Sequence, residues 1–334
     1  MNILAFVVAA IGAFITYLTT PWLIRYLRRI DLVVKDQNKE HRPLVPISGG
    51  LAVFAGFFVG FMLFIFFRTF FDIGAAELTL ESGQFLVLFA GFISIFLVTI
   101  IGFLDDVLIT KSKEASGGLR QWQKPFLTLI AAIPLMVTHA GTSTIYLPFF
   151  GDVALGVIYP LLFVPIGFVG AANMVNMLAG LNGLEVGMGI IYLGSLGFYA
   201  FVHNQYIAAL LALLAFTSLC AFWFYNKTPA KILPGDSLTY FLGGTLASVA
   251  ILGNLEKAAL IISIPFFVEF FLKLRSRFTA ASYGIWVHGN IQSKYDTPYS
   301  VTHLFMKNGN YTEKQITYFI FVIQAFFAAL IWVI

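Results

Sequence analysis

Long apolar runs broken by short polar stretches dominate this sequence. The run from Phe85 to Phe103 carries no charged residue, and about 20 apolar residues suffice for a helix to cross a bilayer. Ten such segments recur, near residues 3–24, 47–69, 84–104, 125–140, 154–174, 184–202, 206–224, 237–253, 257–274 and 315–334. The fourth opens at Pro125, a favourable first-turn residue. No internal repeat, low-complexity tract or soluble segment interrupts them. The pattern predicts an all-α integral membrane protein, one domain over 1–334, with ten transmembrane helices.

The polar breaks are asymmetric. Ten spans sort the loops into two sets, and one set holds eighteen of the twenty Lys and Arg residues, leaving Arg68 and Lys257 to the other. The positive-inside rule then makes the basic set cytoplasmic and puts both termini outside. Arg25, Arg28 and Arg29 follow the first segment rather than precede it, so it is expected to be a retained helix, not a cleaved signal. Composition agrees: 59% of residues are hydrophobic and 11% charged, against about 25% charged in a typical soluble domain. The single Cys220 excludes a disulfide framework and a cysteine-based metal site. A net charge of +4 is too small to point to nucleic acid.

The five basic-side loops also hold nearly all the candidate chemistry. Asp105 and Asp106 end an apolar run, where one ionised side chain costs roughly 3 kcal/mol. They are either a solvated cap or a metal or phosphate site at the membrane surface. Helical neighbours point about 100° apart, so the pair cannot act as one clamp. The stretch SGGLRQWQK ends in Lys124, placed to meet an anionic head group or to snorkel. In NMVNMLAGLNGLEVG, Asn173 and Asn176 share a helix face, and Gly180 and Gly183 bracket Asn182 in a turn. Amides there suit sugar hydroxyls, uracil edges or an oxygen-rich Mg²⁺ shell. KILPGD brings a third carboxylate, Asp236, either an ordinary N-cap or a partner for those amides. The first loop, DQNKEHRPLVPISGG, offers Lys39 and His41 beside Gly49 and Gly50, whose free N–H groups suit anions. The last loop offers Arg275 and Arg277, fitted to a diphosphate, and His303.

Together these motifs resemble the polyprenyl-phosphate N-acetylhexosamine-1-phosphate transferases, most closely the archaeal and eukaryotic UDP-GlcNAc:dolichyl-phosphate GlcNAc-1-phosphotransferase branch. GFLDD, GGLRQWQK, NMLAGLNGLEVG and PGDS are similar to four family motifs in the family's order. The resemblance implies that Asn176 and Asp236 hold Mg²⁺ (or Mn²⁺) with the nucleotide diphosphate. It places Asp105 and Asp106 beside the lipid phosphate and Lys124 on it. Asn182 is expected at the uridine and Asn173 near the metal or sugar. Lys39, Arg275, Arg277 and His303 complete the expected substrate contacts. The bacterial histidine cluster is absent apart from His303, and Leu233 stands where a uracil-stacking aromatic is expected.

The resulting expectation is a Mg²⁺-dependent membrane transferase. It would move GlcNAc-1-phosphate from UDP-GlcNAc to polyprenyl or dolichyl phosphate, releasing UMP, and be sensitive to tunicamycin. The alternatives are another UDP-N-acetylhexosamine donor and, in a different class, a secondary transporter. The expected location is an archaeal or prokaryotic plasma membrane, with the endoplasmic reticulum as alternative. A homodimer is the oligomeric state to test for.

Overall fold

The computed structural model describes residues 3–71, 82–112, 118–142, 144–147 and 151–333. Ser116 and Gly117 of the SGGLRQWQK stretch lie outside them. The helices are α1 (Ile3–Arg29), α2 (Gly50–Phe71), α3 (Ser82–Ser112), α4 (Gln123–Val137), α5 (Val164–Met177), α6 (Leu184–Val202), α7 (Tyr206–Asn226) and α8 (Gly235–Gly253). They continue with α9 (Glu256–Ile262), α10 (Ile264–Arg275), α11 (Val301–Met306) and α12 (Glu313–Leu330). A π-helical turn, Tyr159–Phe163, leads into α5. Three antiparallel hairpins fill loops: β1 (Val33–Lys35) with β2 (Leu44–Pro46), β3 (Thr144–Leu147) with β4 (Gly151–Ala154), and β5 (Ile285–Val287) with β6 (Asn290–Gln292).

Each of the ten sequence-derived segments falls on one helix or on two consecutive ones. Among the described residues, seven helical segments are long and apolar enough to cross a membrane: α1, α2, α3, α5 with its π-turn, α6, α7 and α12. The protein is thus an all-α membrane protein. The remaining helices differ for physical reasons. α4 is short. α8 lies at the centre of the bundle with every residue from Ser237 to Gly253 buried, so it faces protein rather than lipid and tolerates Thr239, Thr245 and Ser248. α3 runs along it so closely that a Cβ on Gly102 would overlap the Asp236 carbonyl.

The expected ninth span, 257–274, is not one helix. It breaks at Ser263 between α9 and α10, because Pro265 has no N–H to donate and its ring disfavours a continuous helix. The Phe266 N–H turns to Ser263 O, and the buried Gln324 of α12 donates to the freed Ile262 carbonyl at 2.9 Å.

One end of the bundle gathers the polar loops. Gly49 and Gly50 donate to the Leu233 and Pro234 carbonyls at 3.0 and 3.1 Å, and Leu233 donates to Pro46 O at 2.8 Å. The N–H groups expected to be free for an anion are therefore spent on pinning the first loop to the start of α8. The long last loop is anchored by Glu269, wholly buried, which accepts the Val301 N–H at 2.7 Å and the Ser300 hydroxyl at 3.0 Å. Lys273 ties down the same loop through Ala280 O at 2.6 Å.

Candidate active site

The C-terminal ends of α3 and α5 meet the N-terminal ends of α4 and α8, and four sequence-predicted side chains converge there. Lys124 Nζ stands 2.6 Å from Asp105 Oδ2 and 3.1 Å from Asp236 Oδ2. Asn176 Nδ2 donates to the same Asp236 oxygen at 3.2 Å, while its Oδ1 accepts the Thr239 hydroxyl at 2.8 Å. Asp105 is fully buried, but Lys124 and Asp236 remain 24% and 20% exposed. The cluster is therefore reached through the ammonium and the Asp236 carboxylate. α4 begins at Gln123, two residues earlier than expected, so Lys124 lies inside its first turn.

The adjacent aspartates diverge. Asp105 Oδ1 accepts the Leu119 N–H at 2.6 Å, which folds the GGL stretch onto the site. Asp106 points instead to the start of α8, accepting the Asp236 N–H at 2.7 Å, the Ser237 N–H at 3.2 Å and the Ser48 hydroxyl at 2.8 Å. No residue of α8's own N-cap supplies a side-chain bond, so a carboxylate from α3 caps the helix. Gly235 makes room for it: its φ is +72°, and a Cβ would overlap the Asp106 carboxylate. Asp236 is not the N-cap, and Asp106, expected beside the lipid phosphate, has both oxygens committed to this cap.

Asn173 is one turn from Asn176 but outside the cluster. It donates to Thr128 Oγ1 at 3.0 Å and Val169 O at 2.8 Å, bracing the helix that carries Lys124. Asn182 belongs to a second polar cluster. Its amide donates to Asp36 at 2.9 Å, and its N–H to Glu313 at 2.8 Å. Asn38 holds Gly180 O at 2.7 Å and accepts the Gly284 N–H at 3.2 Å. Lys39 is ion-paired to Glu313, so it braces the first loop against α12 rather than reaching the Lys124 cluster. Glu185 accepts the Gly180 N–H at 2.7 Å and lies within electrostatic reach of both Asp236 and Glu313, linking the two clusters.

The last loop departs from expectation. Arg275 and Arg277 are exposed, and their side chains make no hydrogen bond or ion pair among the described residues. The basic groups beside the Gly180 turn are others. Tyr283 packs against Gly180, Lys294 sits 3.8 Å over the Tyr283 ring, and partial desolvation followed by the nearby Arg42 guanidinium pushes the Lys294 pKa down. Two like charges drawn together in this way suit an anion. His303 does not reach either cluster. It is 1% exposed, its Nδ1 accepts the Tyr299 N–H and its Nε2 donates to Ala281 O at 2.9 Å, which assigns the neutral tautomer.

Sequence reasoning passed over Ser48, Thr239, Tyr240, Glu185 and Glu313. Tyr240 is buried with an unpartnered hydroxyl beside Lys124 and Asp236. Its spacing of four from Asp236 on one helix was the available signal. Among the described residues no three His, Cys, Asp or Glu side chains gather as a metal set.

Fold and cluster define a polytopic membrane protein with an acid, amide and lysine site at one end of its helices. Residues 87–254, which contain the whole of that cluster, match the family model described as glycosyl transferase family 4. The chain belongs to that family. It is 36% identical over 99% of its length to a protein of Saccharolobus solfataricus, covering 97% of that relative. The relative is named provisionally as a UDP-N-acetylglucosamine–dolichyl-phosphate N-acetylglucosaminephosphotransferase. A Sulfolobus acidocaldarius protein of the same name is 30% identical over 96% of this chain and 93% of its own. A phospho-N-acetylmuramoyl-pentapeptide-transferase of Lactiplantibacillus plantarum is 32% identical over 77% of this chain and 78% of its own.

Proposed function

We propose that this protein transfers GlcNAc-1-phosphate from UDP-GlcNAc to dolichyl or another polyprenyl phosphate, leaving a lipid diphosphate sugar and UMP. The observation that carries this reading is the Lys124 ammonium held between Asp105 and Asp236 beside Asn176. Near full-length similarity to archaeal relatives named for this reaction supports the donor and acceptor. The same chemistry on another UDP-N-acetylhexosamine is the second reading, favoured by the bacterial relatives. The site would face the cytoplasm of an archaeal plasma membrane, with ten spans and both termini outside, as the distribution of basic residues supports.

In the reaction an oxygen of the lipid phosphate bonds to the β-phosphorus of the nucleotide sugar. The bond from that phosphorus to the bridging oxygen breaks, and UMP leaves with the electron pair. Two anions must approach each other, so the barrier is mainly electrostatic. Lys124, half-buried and already balancing two carboxylates, can take the acceptor phosphate as a third partner. Asp105, fixed through Leu119 N–H, orients that phosphate or removes its last proton. Lys294, over the Tyr283 ring beside the Gly180 turn, would hold the diphosphate, with the Arg42 guanidinium in electrostatic reach of it. Asn182, held by Asp36 through its amide nitrogen, keeps its carbonyl oxygen for an N–H of the base.

The residue types suit Mg²⁺, with Mn²⁺ as substitute: the Asp236 carboxylate beside the Asn176 side chain, whose oxygen accepts the Thr239 hydroxyl in this structure, with no thiolate or imidazole. Asp236 and Asn176 would hold the ion, which when bound neutralises diphosphate charge. The test is transfer of label from UDP-[³H]GlcNAc into a chloroform-soluble product by the purified protein with polyprenyl phosphate and Mg²⁺. Activity is expected, with loss on chelation and in Asp236→Ala. No labelled lipid from the wild type, or full activity in the variant, refutes the assignment.

A further inference from the structure

A second polar feature lies at the lateral edge of the same end of the bundle. Between the end of α7 and the first turns of α12 there is a cavity of about 310 Å³. No member of the Lys124 cluster lines it. Its walls are aromatic: Trp223 and Phe321 stand 5.8 Å apart, centre to centre, and Tyr318 meets Phe321 edge-on at 5.6 Å.

Three of the cavity's polar groups, Lys227, Lys314 and Thr317, lack a hydrogen-bond or ion-pair partner among the described residues. Lys227 and Lys314 are exposed lining residues, and neither has a carboxylate within ion-pair distance among the described residues. Each instead sits over an aromatic ring, at 5.6 and 5.9 Å. Deeper in, Thr317 is 3% exposed and its hydroxyl is buried without a hydrogen-bond partner. A buried hydroxyl left unpaired is costly, so a lining hydroxyl of this kind points to an absent acceptor. Two ammonium groups and a donor hydroxyl call for phosphate or ester oxygens.

The surroundings decide what carries that phosphate. Tyr318, Val322 and Phe326 are 49%, 69% and 62% exposed. They recur every four residues, so they form one apolar stripe along α12 that starts at the cavity. A soluble phosphate has no use for such a stripe, whereas acyl chains do. We propose that the cavity binds the phosphate headgroup of an anionic membrane phospholipid, whose chains lie along Tyr318, Val322 and Phe326. The inner wall is Asn182, whose main-chain carbonyl accepts the Thr228 hydroxyl at 3.1 Å. An occupied cavity therefore braces the turn that also meets Asp36 and Glu313. The site rests on the membrane-spanning character of α7 and α12 and is independent of the transferase assignment.

The test uses the full chain in phosphatidylcholine nanodiscs doped with brominated phosphatidylglycerol or, in equal amount, brominated phosphatidylcholine. The Trp223 contribution to fluorescence is read as the difference between wild type and Trp223→Phe. Bromine on the anionic lipid is expected to quench it with a preference on the order of tenfold, since each lysine near a membrane surface favours anionic lipid. The double variant Lys227→Gln/Lys314→Gln is expected to lose that preference, and soluble glycerol phosphate is expected not to compete. Equal quenching by both lipids, a preference that survives in the double variant, or displacement by glycerol phosphate would each overturn the proposal. Asp236→Asn serves as a control that separates this result from the fate of the transferase reading.

Discussion

Asp106 on α3 accepts the backbone N–H of Asp236 on α8 at 2.7 Å, across 130 residues of sequence. The helix that carries the proposed cation ligand is thus capped by the neighbour of the residue that meets Lys124. This divides the labour of the aspartate pair. Asp106→Ala removes a charged acceptor from two N–H groups and one hydroxyl, worth roughly 3 kcal/mol. It is expected to lower the thermal midpoint and activity together. Asp105→Ala should abolish transfer while leaving the midpoint nearer wild type. Scanning fluorimetry of both variants checks the contrast.

Gly235→Ala should behave like a weaker Asp106 variant. The residue has φ +72°, which costs an L-residue roughly 1–2 kcal/mol, and the added methyl would displace the Asp106 carboxylate. Loss of midpoint with a parallel loss of transfer is the expected outcome. A fully stable, active Gly235→Ala would refute the capping geometry.

Lys124→Gln leaves Asp105 and Asp236 facing each other without a cation and deprives the acceptor phosphate of its partner. The turnover rate in the labelled-lipid assay should fall at least about a hundredfold. Lys124→Arg is not expected to restore it, because the planar guanidinium cannot replace a compact ammonium between two carboxylates 2.6 and 3.1 Å away.

Arg42→Gln and Lys294→Gln should raise the KM for the nucleotide sugar roughly tenfold each, the loss of one charge-assisted contact. Arg275→Gln and Arg277→Gln should change it little. Steady-state kinetics at varied donor concentration separates the pairs. The reverse pattern would return the diphosphate to the arginines first expected from sequence.

The last loop should loosen in acid. Burial pushes the His303 pKa down to about 4, from an ordinary 6.5. The closed loop then binds fewer protons than an opened one between those values, so its stability is complete above pH 6.5 and declines as pH falls toward 4. At pH 5 opening should be favoured about twentyfold over neutral pH. Hydrogen exchange across residues 281–303, corrected for intrinsic rates, reads this directly, and His303→Asn should remove the pH dependence.

Much of the molecule was legible in sequence because the relevant physics is local. Apolar runs of spanning length mark helices wherever they occur, and a PGD or NMLAGLNG stretch declares a turn at a helix end. Periodicity also required Asp105 and Asp106 to point apart. It could not say toward what, since that depends on α3 lying against α8 at Gly102. The break inside the ninth segment was not legible because hydropathy is blind to a proline break that a distant Gln324 can satisfy. Gly49 and Gly50 were read as free donors because their acceptors, Leu233 and Pro234, belong to another loop.

Sequence by itself therefore determined the membrane class, the helical segments and the four motifs, each set by composition and spacing within a few residues. Tertiary structure decided which aspartate meets Lys124 and which caps α8. It also moved Lys39 and His303 into bracing roles and set Lys294 over the Tyr283 ring. Those outcomes are contacts between segments far apart in the chain, and only the packing of whole helices chooses among partners of equal chemistry.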